Sequence, residues 1–331
     1  MIRCELFDTR PKRERSLLFG RENDLKNIEQ IIDSGFWAVL IGPKRIGKTS
    51  LATVLTQSRS GIYMDVSSVL TVKDLGLRLI DEIAGGKLKT EGAIDLKVFR
   101  FTMRREPIQT FEKIIHKLGN RLIALDEVQR LNDPMLPRIL STLYNETRIK
   151  LLFTGSATGL IKTISESEEI QGKPIEEKEI RPFSRDTSLA FLETGFRRGE
   201  VNCQRRELEE TVEIFGGIPG WLTYYGAKRC SGKTHAEAIE EVTRLAKKTV
   251  AKESKNFGAL QRSIVLSLAR FSGGAAWNEI KVLAASKHGQ TIKSSTFTES
   301  LKSLQNLRIV EKKSEKYYLI DPAYKLLESY S

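Results

Sequence analysis

The chain predicts an α/β core with a parallel sheet, then an all-helical segment, then a small C-terminal unit of three helices and a β-ribbon. Three observations carry this expectation. The apolar run Trp37-Ala38-Val39-Leu40-Ile41 enters Gly42, and beyond Gly47-Lys48-Thr49 a helical pattern starts at Leu51. A second run, Leu122-Ile123-Ala124-Leu125, ends in Asp126-Glu127, as a buried parallel strand does when its C-terminal end opens on a site. From residue 186 onward no strand pattern returns until near the C-terminus.

The totals fit this plan. With 331 residues, 40% apolar and 29% charged, two or three globular domains are expected. No apolar run approaches the roughly 18 residues of a membrane span, and no charged-then-apolar leader opens the chain. Cys4, Cys203 and Cys230 are odd in number and unclustered, which suggests neither a disulfide framework nor a zinc site. His116, His235 and His288 are scattered and read as surface or core residues. A reducing cytoplasm is the expected home. Lys and Arg outnumber Asp and Glu, 54 to 42, for a net charge of +12. Such a surplus favours polyanionic partners, although proteins that touch no nucleic acid also carry it.

In chain order, a basic, proline-bearing lead-in precedes Leu25, Ile28, Ile31 and Ile32, whose spacing predicts an amphipathic helix feeding the first strand. Gly42-Pro43-Lys44-Arg45-Ile46-Gly47-Lys48-Thr49 then satisfies G-x-x-x-x-G-K-[ST], the phosphate loop of nucleoside triphosphatases. The glycines let consecutive amides turn inward toward phosphate oxygens, and the following helix aims its positive end at the same place. Lys48 reaches the β- and γ-phosphates and Thr49 ligates magnesium. Residues 61–66 predict a second strand and 72–84 a helix. The alternation of Ile94, Leu96 and Val98 with Asp95 and Lys97 predicts a strand or hairpin arm. Pro107 opens another helix. At the end of the next strand, Asp126 is placed to hold magnesium and Glu127 to deprotonate the attacking water. The strand Leu151–Thr154 runs into Gly155-Ser156, where a hydroxyl either senses the γ-phosphate or merely turns the chain. Glu179-Ile180 forms the last short strand of this region.

Beyond it, Leu189, Phe191, Leu192 and Phe196, then Leu208, Val212 and Phe215, then Ile239, Val242, Ala246 and Val250 mark helical faces, with residues 216–221 a turn. Ser231-Gly232-Lys233-Thr234 mimics the end of a phosphate loop, but no strand precedes it. In the last segment, helices centred on Ile264 and Ile280, a Thr296–Glu299 capping box opening a third, and a charged-tipped hairpin at 309–320 give the winged helix-turn-helix order. Residues 258–331 hold eleven Lys and Arg against six Asp and Glu. DNA contact and protein docking stand as equal readings of that surface.

With these motifs in place the chain resembles the archaeal ATPase family, within the STAND class of P-loop NTPases related to AAA+ proteins. The carriers are Leu6-Phe7-Asp8-Thr9, Phe19-Gly20-Arg21-Glu22, the phosphate loop through Ser50-Leu51, Leu125-Asp126-Glu127-Val128-Gln129, Thr154-Gly155-Ser156, Arg181-Pro182-Phe183-Ser184 and Gly217-Ile218-Pro219-Gly220-Trp221-Leu222. The resemblance implies a P-loop NTPase core with a five-stranded sheet in the order 5-1-4-3-2, a helical lid and a C-terminal winged helix, divided here as 1–184, 185–257 and 258–331. It further implies that Arg21 lies beside the nucleotide and that Pro219 packs near the adenine. This chain departs from it at Gly172-Lys173-Pro174, where many relatives carry Gly-Arg, and at Ser156, where some carry an arginine.

The expected function is therefore that of an ATP-binding, slowly hydrolysing molecular switch. ATP or ADP would be bound by residues 42–50 and Mg2+ by Thr49 and Asp126. Lys48 and Glu127 would be catalytic, Thr154 and Ser156 would act as sensors, and nucleotide state would reach the winged helix. The rival is a DNA-binding regulator that uses ATP to set its conformation. A GTPase is disfavoured because no Asn-Lys-x-Asp string occurs, and a small-molecule kinase has no need of the acidic pair or the trailing winged helix.

Overall fold

The computed structural model describes residues 4–87, 95–128, 131, 133–155, 172, 175–289 and 291–330. They fall into two compact units, one of 11–42 and 48–180, the other of 1–10, 43–47 and 181–331. The boundary expected at 184 is thus crossed twice, because residues 1–10 and the tip of the phosphate loop group with the C-terminal half of the chain.

The first unit runs α1 (Glu22–Asp33), β1 (Trp37–Ile41), α2 (Lys48–Ser58), β2 (Ile62–Asp65), α3 (Val72–Glu82), α4 (Leu96–Arg105), α5 (Pro107–Leu118), β3 (Leu122–Asp126), α6 (Leu136–Glu146), β4 (Lys150–Thr154) and β5 (Ile175–Glu179). All strand pairs are parallel, in the order β2-β3-β4-β1-β5. Counted from the other edge, this is the implied 5-1-4-3-2. Every residue of β1 and β3 is buried, as a sheet covered on both faces requires. By contrast β5, Ile-Glu-Glu-Lys-Glu, carries the charges that suit an edge. Trp37, Met64, Leu75, Ile114, Leu125 and Phe153 belong to one core. The Trp37 indole donates to the Ile149 carbonyl at 3.0 Å, so the ring is buried with its polar atom satisfied. The registers Leu40↔Thr154, Leu125↔Phe153 and Asp65↔Asp126 bring the C-terminal ends of these strands to a common edge.

Ile94 lies outside the described residues, and the rest of the strand expected at 94–101 is instead the start of helix α4. Asp95 caps it, accepting from the backbone amides of Lys97 and Val98 at 3.0 and 3.1 Å. Met103 is fully buried and lies so close to Gly76 of α3 that a Cβ there would sit 2.2 Å from its methyl group. Val98 and Phe101 are exposed. Of the residues whose alternation suggested a strand, Asp95, Lys97 and Val98 all lie on the solvent side of a helix.

The second unit contains α7 (Arg185–Arg198), α8 (Arg205–Phe215), α9 (Pro219–Cys230), α10 (His235–Ser254), α11 (Ala259–Leu268), β6 (Ala275–Ala276), α12 (Trp277–His288), α13 (Ser294–Asn306), β7 (Val310–Lys313), β8 (Lys316–Leu319) and 3-10 turns from Pro322. The three last-named strands form an antiparallel sheet, β6-β8-β7. Only 216–218 remains a turn, because Pro219 at the first helical position starts α9. The phosphate-loop mimic ends as a helix cap, with the Thr234 hydroxyl and the Glu237 carboxylate closing a capping box on α10. The capping box expected at Thr296–Glu299 does not form. Helix α13 starts three residues earlier, after extended Lys293 and without a side-chain cap.

Residues 4–7 are built into this unit. Phe7 is buried against the rings of Phe191 and Phe196. A Cβ on Gly195 or Gly226 would come within 2.1 or 2.3 Å of the Phe7 ring, so both helices need glycine where they cross it. Cys4 and Cys230 form a disulfide across a Cα–Cα distance of 6.4 Å, leaving Cys203 free. This corrects the expectation of no disulfide, since a sequence separation of 226 hides the pairing.

Candidate functional site

The site begins where β1 delivers the chain to the edge of the sheet. Gly42 and Gly47 take φ values of 153° and 101°, conformations that residues with a Cβ rarely adopt. Between them Arg45, which has a Cβ, is also left-handed at φ 63°. Such a residue costs about 1–2 kcal/mol and persists only where its surroundings hold it. Lys48 opens α2, is 92% removed from solvent, and donates to the Gly42 carbonyl at 2.8 Å. Pro43 and Ile46 are buried, and the Ser50 hydroxyl accepts from the Lys12 amide at 3.1 Å.

Facing the loop residues of the same unit, Asp126 is buried at the end of β3. Its carboxylate accepts from the Thr49 hydroxyl at 2.7 Å, from the Tyr63 hydroxyl at 2.7 Å and from Thr154. Burial and the Asp126 charge push the Tyr63 phenol well above its ordinary range, so it stays a donor. Glu127 follows at φ 62°, half-buried, the second non-glycine residue of the site in left-handed backbone. A hydroxyl and a carboxylate within 3 Å of each other at a helix N-terminus form an all-oxygen donor set. That set suits a hard divalent cation such as Mg2+. Among the described residues no group of three or more His, Cys, Asp and Glu offers another metal site.

Of the remaining expected residues, Arg21 and Pro219 are described and the others fall outside the described residues. Arg21 caps the start of α1, buried, and donates to Asp24 at 3.0 Å. Burial lowers its pKa, and Asp24 opposes that shift. Pro219 begins α9 in the second unit. Ser156, Gln129, Lys173 and Pro174 fall outside the described residues.

The second unit adds a cluster that the sequence reading missed. The Arg45 guanidinium donates to both Glu253 oxygens at 2.7 and 3.3 Å and to Asp321 at 3.1 Å, and lies 4.4 Å over the Trp221 ring. The Trp221 indole donates to both Asp321 oxygens at 3.1 and 3.0 Å, and the Tyr324 hydroxyl to Glu253 at 2.8 Å. Lys44 pairs with Glu253 at 3.5 Å. The Gly220 amide donates to the Arg45 carbonyl at 3.0 Å, and a Cβ on Gly220 would stand 2.7 Å from that of Arg45. Burial raises the Asp321 carboxyl even against Arg45. For Glu253, burial works upward but Arg45, Lys44 and Tyr324 outweigh it, so the carboxyl is held low. Tyr63 had one signal in the sequence, its place in the strand beside the acidic one. The Arg45 partners had none, lying 208 and 276 residues downstream.

Compared with known proteins, residues 18–225 match a family described as an ATPase domain predominantly from Archaea. No curated protein matches the sequence. Among solved structures, the chain is similar to the Walker-type ATPase paby2304 of Pyrococcus abyssi, with 25% identity, a TM-score of 0.85 and coverage of 98% of this chain and 99% of that one. It shares its fold with the Aeropyrum pernix ORC2 protein in ADPNP–ADP complexes (16% identity, TM-score 0.60, 98% and 95% covered). The fold also recurs in the T158V form of Thermotoga maritima RuvB (13% identity, TM-score 0.50, 97% and 99% covered).

Proposed function

The chain belongs to the archaeal family of ATPase domains, and from that premise we propose that it is a Mg2+-dependent ATPase acting as a STAND-type molecular switch. The carrying observation is the 2.7 Å bond between the Thr49 hydroxyl of the phosphate loop and the Asp126 carboxylate of the acidic strand end. Two motifs 77 residues apart meet where triphosphate chemistry needs both. In this reading the loop amides and Lys48 bind the phosphates, and Thr49 and Asp126 hold the cation. When bound, Mg2+ neutralises charge on the phosphate oxygens. Glu127 orients the attacking water and takes its proton, while Thr154 and Tyr63 keep Asp126 aimed. Arg21 stands beside the nucleotide, and Pro219 near the adenine. Residues 185–257 act as a lid and 258–331 as a winged helix that receives the nucleotide signal.

The test is Glu127→Gln. ATP binding should persist while turnover falls by about 10²–10⁴, the usual worth of a positioned base. Hydrolysis at the wild-type rate would remove Glu127 from its role.

A second reading, a DNA-binding regulator set by ATP, is favoured by Lys312, Lys313 and Lys316 at the exposed tip of the β7–β8 hairpin. Fluorescence anisotropy with duplex DNA should then show log affinity falling against log salt, with a slope of about −0.9 per phosphate neutralised. Absence of binding at low salt assigns the surface to a protein partner.

A further inference from the structure

Arg45 sits in the middle of the phosphate loop, and its guanidinium is turned to two carboxylates. Glu253 ends α10 and Asp321 follows β8. Both acids are themselves oriented, Asp321 by the Trp221 indole and the Ala323 amide at 2.9 Å, Glu253 by Tyr324. The Arg45 carbonyl is held as well, by the Gly220 amide. A left-handed residue with a Cβ is disfavoured and needs this kind of enclosure. The enclosure also decides where the loop's positive charge goes. Lys44 and Arg45 are neutralised by Glu253 and Asp321, which leaves the phosphates to Lys48 and the amides. The direction of those amides follows from the backbone at Arg45.

We propose that Trp221, Glu253 and Asp321 are positioning residues for nucleotide binding: acting through Arg45, they fix the loop backbone, so that filling the loop and seating the 321–324 segment reinforce each other. Reciprocity is a thermodynamic requirement, because a segment that improves nucleotide affinity is itself held more tightly by the nucleotide, by the same factor. The proposal rests on the reading of residues 42–49 as a nucleotide site.

The experiment is a double-mutant cycle on full-length protein, with ADP and Mg2+ as the probe in isothermal titration calorimetry. Circular dichroism confirms that each variant is folded. Asp321→Asn and Arg45→Gln should each weaken ADP binding on the order of tenfold. The double variant should bind no worse than Arg45→Gln alone, because both changes break one linkage. If Asp321→Asn does not fold, Glu253→Gln takes its place. As the reciprocal readout, ADP should slow amide exchange at 321–324 in the wild type and not in Arg45→Gln, which a merely structural role would not produce. Wild-type ADP affinity in the acid variant, or effects that multiply in the double variant, overturns the proposal while leaving the nucleotide site standing. Failure of the wild type to bind ADP overturns the site and the proposal together.

Discussion

At the scale of single residues, what could be read in advance was what lies close in sequence. Lys48, Thr49, Asp126 and Glu127 belong to two contiguous motifs, and the Thr49–Asp126 bond brings the motifs together. Tyr63 escaped notice because a tyrosine in a strand has an apolar body as well as a polar tip, and only the pairing of β2 with β3 brings that tip to Asp126. The hydroxyl supplies one of the donors that satisfy a buried carboxylate, and Thr49 and Thr154 supply others. Tyr63→Phe should therefore destabilise the protein by about 1 kcal/mol rather than unfold it, which a lowered urea midpoint at unchanged slope would register. The cysteines failed as a guide in the opposite sense. Once Cys4 and Cys230 are paired, their number no longer argues for a reducing compartment.

At the scale of elements, strands with both faces buried were the easiest to recognise. Runs such as Trp37–Ile41 and Leu122–Asp126 have no polar face to confuse the period. Helix α4 was misread for the converse reason. It is peripheral, with Met103 buried while Val98 and Phe101 are exposed, so Val98 on its wet side took part in the apparent two-residue repeat. Its start is fixed by the Asp95 carboxylate on the first-turn amides. Asp95→Ala should cost about 1 kcal/mol, and the loss should be local. Amide exchange should speed up across residues 96–105 and stay unchanged in β1 and β3, whereas a uniform rise would mean that the cap supports the whole core. In α13 the threonine–glutamate pair at 296–299 met the rule for a cap, but the extended backbone at Lys293 started the helix first. A local rule of that kind names a candidate start, and backbone geometry chooses among candidates.

At the scale of the whole molecule, the strand order came from family resemblance and the paired elements agree with it. The division into units could not be read, because it does not follow the order of the chain. One unit is complete within residues 11–180, while the other gathers 1–10, 43–47 and 181–331. The motif fragments Arg181–Ser184 and Gly217–Trp221, far apart in sequence, meet within the second unit. The Phe183 amide donates to the Gly217 carbonyl at 2.8 Å, and a Cβ on Gly217 would strike the Phe183 carbonyl oxygen. The seat of Phe7 between Gly195 and Gly226 has a consequence for biosynthesis. As the chain leaves the ribosome, the sheet can close once residue 180 is out, but the amino-terminal strap must wait for helices made much later. Arg45 waits longer still, for an aspartate 276 residues behind it, a delay on the order of 10–60 s at common elongation rates. The nascent protein thus carries a finished sheet before Arg45 has either of its carboxylates, and the enclosure of the phosphate-loop tip is complete only after residue 321 is made.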